Sequence, residues 1–139
     1  MNPTQGKFHH LAIQSRNLEE SLHFYIDVLG MKKVGEITLS TKKGVFIDMG
    51  NGSLIELFSP PFEGDADLPD YENSKLVLYH FAIAIEDVAG SIDHCRQAGY
   101  PIIKEATHLK LEDGFEATIG FVEGPNGERV EFINQYSAW

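Results

Sequence analysis

Short apolar stretches and longer amphipathic ones alternate along the chain, and their order occurs twice. Residues 8–14 and 79–85 are short, apolar and bounded by polar positions, which is typical of β-strands. In each half the next segment repeats its apolar residues at helical spacing. Three further strands are then predicted per half, at 34–40, 44–49 and 53–58 and at about 101–105, 116–123 and 128–134. Each half is therefore predicted to have the order βαβββ.

Both predicted helices have start and stop signals. Asn17 can cap the first helix, with Glu20 in the capping-box position, and Gly30 ends it. Asp87 and Gly99 bound the second helix. The stripes expected to face the core are Leu18, Leu22, Tyr25, Ile26 and Leu29 in the first helix and Val88, Ile92 and Cys95 in the second. Predicted hairpin turns are Gly50-Asn51-Gly52 and Pro125-Asn126-Gly127.

The two halves also match residue by residue. Placing His10 on His80 superposes Ala12 on Ala82, and after a short insertion Phe46 falls on Phe121 and Glu56 on Glu131. We expect an α+β fold of two tandem modules in a single domain. The boundaries are 1–139 for the domain, about 8–58 and 77–135 for the modules, and about 59–76 for the connection. The connection is rich in proline and acidic residues and is predicted to be a linker or a lid, and a loop at Thr107–Phe115 is expected to border the site.

Composition excludes several classes of protein. The chain has 139 residues, 42% of them hydrophobic, which suffices for one domain with its own core. A net charge of −10 disfavours nucleic-acid partners. No apolar run is long enough to span a bilayer, and the N-terminal residues lack a signal-peptide pattern. The single cysteine, Cys95, excludes an internal disulfide, so a reducing, cytoplasmic location is expected.

The residues with chemical potential are one His and one Glu in each half. Glu56 shares a strand face with Leu54 and Phe58, where an unpaired carboxylate is costly unless it binds a cation. The repeated residues offer two imidazoles and two carboxylates, a mixed set that suits zinc, nickel, cobalt or iron and leaves coordination positions open. The candidate metal ligands are His10, Glu56, His80 and Glu131. Other histidines are expected elsewhere: His9 on the opposite strand face, and His23, His94 and His108 on helix or loop surfaces.

Several segments resemble the vicinal oxygen chelate superfamily, specifically glyoxalase I and its relatives. The resemblance runs from Phe8 to Asn134. It implies a cupped mixed sheet with helices outside, and one divalent ion, zinc or nickel, held by the four candidate ligands. It also implies a homodimer with active sites at its interface, in which each chain supplies one His–Glu pair, and closure within one chain is the alternative. The matching segments are Phe24 to Met31, Leu54-Ile55-Glu56-Leu57, His80-Phe81-Ala82-Ile83 and Gly124 to Phe132.

The implied activity is that of a lyase or isomerase acting on a small molecule. Glyoxalase I converts the hemithioacetal of methylglyoxal and glutathione into a 2-hydroxyacyl thioester. The catalytic residues would then be Glu56 and Glu131, one of which moves a proton between neighbouring carbons. Gln14 and Pro60 stand where the familiar glyoxalases have an Arg and an Asn that help to hold glutathione, which suggests another thiol carrier or substrate. Lys110, in the predicted second loop, is a candidate for contact with an anionic group.

Three alternatives remain on the same scaffold. The stretch from Gly50 to Pro60 is similar to methylmalonyl-CoA epimerase, although that family's additional Glu base would fall near Ser40. Extradiol dioxygenases lack a ligand like Glu56. A metal-free drug-binding protein of the bleomycin-resistance type would need none of the four ligands, and metal analysis separates it from the enzymes.

Overall fold

The computed structural model describes residues 9–38, 42–60, 80–112 and 114–137. In the first half the elements are β1 (His10–Gln14), α1 (Leu18–Leu22), a π-helical segment (His23–Val28), β2 (Lys32–Thr38), β3 (Lys43–Asp48) and β4 (Leu54–Phe58). In the second half they are β5 (Phe81–Ala84), α2 (Val88–Gln97), β6 (Ile102–Lys110), β7 (Glu116–Glu123) and β8 (Arg129–Gln135). The chain divides into two compact units that correspond to these halves. The α+β class and the βαβββ order are confirmed.

The two units have the same sheet topology. Their strand orders are β1-β4-β3-β2 and β5-β8-β7-β6, with the first and last strands of each unit parallel and the other pairs antiparallel. Even the register repeats, because Ala12 lies opposite Glu56 and Ala82 lies opposite Glu131. The sequence repeat is therefore a structural repeat. The cup formed by both sheets and the module boundaries stay predictions.

The first helix differs from the predicted one. Asn17 caps it as expected, accepting a hydrogen bond from the backbone N–H of Glu20 at 3.2 Å. The α-helix ends at Leu22 and continues with π-type bonding, in which Leu29 N–H donates to the carbonyl of Phe24. Because π turns hold more residues than α turns, the buried stripe rotates. The predicted stripe was therefore partly wrong: Leu22, Ile26 and Leu29 are only half-buried, and the buried residues are Leu18, Ser21, Phe24, Tyr25 and Val28.

The second helix packs as predicted. Val88, Ile92 and Cys95 are buried against the sheet of their unit. Asp87 accepts a hydrogen bond from the N–H of Gly90 at 2.8 Å and caps the helix. The helix approaches β7 closely at Gly120, where a Cβ would lie 2.8 Å from side-chain carbons of Ile92. Burial also raises the pKa of the Cys95 thiol to about 11, so this cysteine belongs to the core.

Two loop predictions have different outcomes. The predicted loop at Thr107–Phe115 was partly wrong, because β6 runs on to Lys110 and pairs with β7 as far as Glu116, whereas Leu111 and Phe115 lie outside both strands. Register shifts let this long edge strand follow β7. The full length of β6 was not predicted because its composition is polar. The predicted linker or lid at 59–76 lies mostly outside the described residues, which resume at His80. Within the described parts of the chain, neither helix has the length or the apolar character needed to cross a bilayer.

Candidate functional site

In the first unit, the imidazole of His10 lies against the carboxylate of Glu56. The Nε2 atom of His10 is 3.4 Å from Glu56 Oε1. The contact follows from the parallel pairing of β1 with β4, which sets Ala12 beside Glu56 and places His10 one same-face position upstream. Ala12 is exposed and small, so its side chain does not block the contact between the His10 imidazole and the Glu56 carboxylate. We call His10 and Glu56 the first half-site.

The carboxylate of Glu56 occupies a recess above Gly44. Glu56 is only 5% exposed. A Cβ built on Gly44 would lie 2.7 Å from Glu56 Oε2, so any side chain at position 44 would collide with the carboxylate. The ring of Phe46, which lies opposite Glu56 on β3, contacts the His10 ring edge-on with centroids 5.7 Å apart. The recess at Gly44 therefore makes room for the Glu56 carboxylate, and the Phe46 ring packs against the His10 imidazole.

The second unit repeats this arrangement with residues of the same types. His80 Nε2 lies 2.9 Å from Glu131 Oε2, and Glu131 is 8% exposed. Exposed Ala82 lies beside Glu131, and Phe121 contacts the His80 ring edge-on at 5.3 Å. We call His80 and Glu131 the second half-site. The sequence repeat already paired the two phenylalanines, but it gave no sign that they pack on the imidazoles.

His9 contributes to the first half-site, which strand alternation did not predict. It precedes β1, so alternation does not govern its direction. Its Nδ1 lies 2.9 Å from the Nδ1 of His10. One of these nitrogens donates and the other accepts. When His10 accepts at Nδ1, its Nε2–H can donate to Glu56, and when it donates from Nδ1, its Nε2 has the lone pair that a metal ion would need. His9 is exposed, as expected, and its side chain contacts that of His10.

The two half-sites suit a divalent metal by their donor atoms. Each sets one imidazole nitrogen close to one nearly buried carboxylate oxygen. Such carboxylates are stabilised by a cation, and nitrogen–oxygen donor sets suit zinc and nickel. Among the described residues, no three His, Cys, Asp or Glu side chains are grouped closely enough to hold a metal. Each half-site is therefore one imidazole–carboxylate pair, and the binding of one ion by all four residues stays a prediction.

The other candidate residues lie away from the half-sites. His108 is in β6 rather than in a loop and contacts Glu116 at 2.7 Å. Lys110 is also in β6, opposite Glu116, on the sheet face that Gly120 shares with α2. That face is the reverse of the one carrying Glu131, because Glu131 lies opposite Phe121. Lys110 was therefore wrongly predicted to lie in a loop, and its contact with an anionic group stays a prediction. His23 pairs with Asp27 on the exposed side of the first helix.

A family model matches residues 7–132 of the chain, and its description is the glyoxalase/bleomycin resistance protein/dioxygenase superfamily. The chain is 29% identical over 135 residues to a probable lactoylglutathione lyase of Synechocystis, covering 92% of this chain and 95% of that protein. It is 28% identical to a lactoylglutathione lyase of Neisseria meningitidis, covering 92% and 90%.

Solved structures agree with these sequence matches. The trypanothione-dependent glyoxalase I of Leishmania major has a TM-score of 0.70 at 25% identity, over 94% of this chain and 87% of that one. Glyoxalase I of Zea mays also has a TM-score of 0.70, at 20% identity, over 94% of this chain and 45% of that one. The latter likeness concerns the fold alone.

Proposed function

The chain belongs to the glyoxalase/bleomycin resistance protein/dioxygenase superfamily, and on that premise we propose that it is a metal-dependent lyase or isomerase of the glyoxalase I type. Its substrate would be the hemithioacetal formed by a 2-oxoaldehyde, such as methylglyoxal, and a thiol. One observation carries the proposal: an imidazole–carboxylate pair recurs in both units, at the same register and beside the same small residue. A binding protein has no need of two buried carboxylates each placed against an imidazole.

His10, Glu56, His80 and Glu131 would together hold one divalent ion, zinc or nickel. The ion would supply Lewis-acid stabilisation of negative charge on the oxygens of the substrate. The two units that contribute the pairs would belong to different chains of a homodimer, or to a single chain in the alternative arrangement. The two arrangements can be separated with a mixed dimer in which one chain lacks the His10–Glu56 pair and the other lacks the His80–Glu131 pair. If the pairs meet between chains, this dimer would have one complete site.

The proton transfer falls to one of the two glutamates. Both carboxylates are almost buried, and each lies against an imidazole. Glu56 or Glu131 would take the proton from the carbon that carries the sulfur and hydroxyl of the hemithioacetal. The same carboxylate would return the proton to the neighbouring carbonyl carbon, while the hydroxyl proton passes to the oxygen of that carbonyl, giving the 2-hydroxyacyl thioester. The recess at Gly44 supports the proposal for Glu56, because it leaves room for one carboxylate oxygen.

The test combines metal analysis with an isomerase assay. Purified protein should contain one divalent ion per four-residue site and should isomerise methylglyoxal premixed with a suitable thiol. Glu56→Gln and Glu131→Gln should each bind metal less tightly, and the variant that lacks the base should lose roughly a hundredfold or more in kcat. Glu116→Gln is the matched control, because it alters a His–Glu pair outside both half-sites.

Other results would redirect the assignment. A full metal complement without activity on any thiol adduct would favour proton transfer next to a different carbonyl, as in an epimerase. Protein that binds no divalent metal under any condition would contradict the proposal and favour a drug-binding protein.

A further inference from the structure

Lys42 lies just before β3 on the sheet face that carries the first half-site. Its Nζ is 4.3 Å from the centre of the Phe58 ring and 3.0 Å from Gln14 Oε1. Gln14 and Phe58 lie opposite each other, one same-face position beyond Ala12 and Glu56. That step along a strand is about 7 Å. The two residues that hold the Lys42 ammonium group are therefore the same-face neighbours of Ala12 and Glu56.

The ammonium group is held in place by a fixed amide. Gln14 Nε2 donates to the carbonyl of Ser59 at 2.9 Å and to that of Ser15 at 3.2 Å. These two contacts orient the amide, so that Oε1 is the atom that accepts from Lys42. The Phe58 ring stabilises the cation from the side. An ammonium group has three N–H donors, and Gln14 accepts only one of them.

Within the part of the chain that the structure describes, no carboxylate forms an ion pair with Lys42. No Asp or Glu oxygen among residues 9–38, 42–60, 80–112 and 114–137 lies within 4.0 Å of its Nζ. By contrast, Lys33 and Lys43 both form ion pairs with Glu36. In a chain of net charge −10, this is a cation held by a neutral amide and a ring beside a candidate metal centre. Its remaining donors suit a negatively charged ligand.

We propose that Lys42 binds a carboxylate or phosphate group of the thiol carrier, and so restricts the enzyme to anionic thiols. The inference rests on the proposed function for the identity of the ligand, which would be the thiol half of the hemithioacetal. Lys42 is then a specificity-determining residue rather than a catalytic one. Gln14, which has no charge of its own, acts through Lys42 by orienting the ammonium group.

The test measures thiol binding to the metal-loaded protein by calorimetry. Glutathione carries carboxylates, coenzyme A carries phosphates, and cysteamine carries a thiol without an anion. At least one anionic thiol should bind more tightly than cysteamine. Lys42→Gln should weaken that binding about tenfold or more, as expected for the loss of a charge-assisted hydrogen bond, and Lys42→Arg should retain most of it. The anionic thiol that responds to the substitution identifies the group as carboxylate or phosphate.

Lys43→Gln is the matched control. It removes the same charge one residue later, on the opposite sheet face, where Lys43 pairs with Glu36. It should bind both anionic thiols as the wild type does, and cysteamine binding should be unchanged in every variant. The inference is overturned if neither anionic thiol binds better than cysteamine, or if Lys42→Gln and Lys43→Gln bind alike.

An isomerase assay on the same variants separates the two proposals. Where the adduct of the responsive thiol is a substrate, Lys42→Gln should raise its KM with kcat nearly unchanged. Wild-type protein that binds the anionic thiol through Lys42 but isomerises no adduct would remove the proposed function and leave the anion site. Protein that isomerises the adduct but binds the anionic thiol equally well without Lys42 would keep the proposed function and remove the anion site.

Discussion

The carboxylate of Glu56 occupies the space that a side chain at Gly44 would fill. Its Oε2 lies 2.7 Å from the position of a Cβ built on residue 44. The two residues are on neighbouring strands, and Gly44 is buried. In the internal repeat, the position of Gly44 is taken by Ile119, which pairs with Ile133 as Gly44 pairs with Phe58. The two half-sites therefore have the same imidazole–carboxylate pair but differ in the room beside the carboxylate.

Gly44→Ala should displace the Glu56 carboxylate and weaken metal binding without unfolding the protein. The methyl group meets Oε2, so the side chain must adopt another rotamer and leave His10. We expect zinc affinity to fall about tenfold or more, measured by competition with a chelator. Gly35→Ala, in β2, is the control, because no atom lies within 4 Å of its added methyl. Equal affinities in the two variants would contradict the importance of the recess.

His9→Ala should weaken metal binding through His10. The 2.9 Å contact between the two Nδ1 atoms orients the His10 ring. Loss of such a partner typically lowers metal affinity about 10-fold to 100-fold. His23→Ala removes an exposed histidine with its own Asp27 partner and serves as the control. If both variants hold zinc as tightly as the wild type, His9 is a surface residue only.

Gly120→Ala should destabilise the second unit. The new methyl would lie 2.8 Å from Cδ1 and Cγ1 of Ile92 and 3.3 Å from Val88. Overpacking of this kind costs about 1–3 kcal/mol, which urea unfolding can measure. Adding Ile92→Val should recover part of the loss, since it removes one of the clashing carbons. Additive losses in the double variant would argue against a direct clash.

Cys95 should be unreactive until the second unit opens. The thiol is buried under α2, and its pKa is raised from 9.0 to about 11 by burial. At pH 8, alkylation should be at least about a hundredfold slower in native protein than in urea. The unfolded thiol ionises first, so this group stabilises the fold below pH 9 and loses that contribution as the pH rises toward 11. Rapid native alkylation would contradict the assigned burial.

Much of the fold follows from local rules. Strand alternation put His10 and Glu56 on the faces where they meet, and the internal repeat placed His80 and Glu131 in the same relation. Strong caps at Asn17 and Asp87 fixed the helix starts. These features depend on neighbours in sequence or on a period, both of which are visible in one chain.

Other features depend on contacts that a single sequence does not display. The π-helical segment after Leu22 has no distinctive composition, and polar β6 has no apolar pattern to indicate its length. Gly44 indicates the recess of Glu56 only once β3 lies beside β4. The contact between Gln14 and Lys42 joins residues on different strands. Such relationships arise from packing between strands.

The parallel contact of the first strand with the last closes each unit, and it would make the proposed metal binding depend on a completed unit. The imidazole comes from the start of the unit and the carboxylate from its end. During synthesis, the pair of His10 and Glu56 cannot form until β4 has left the ribosome, because the carboxylate is on β4. A partly made or misregistered unit offers no pair. Zinc uptake would thus report that the chain has been completed correctly, and truncation before β4 or β8 would abolish it.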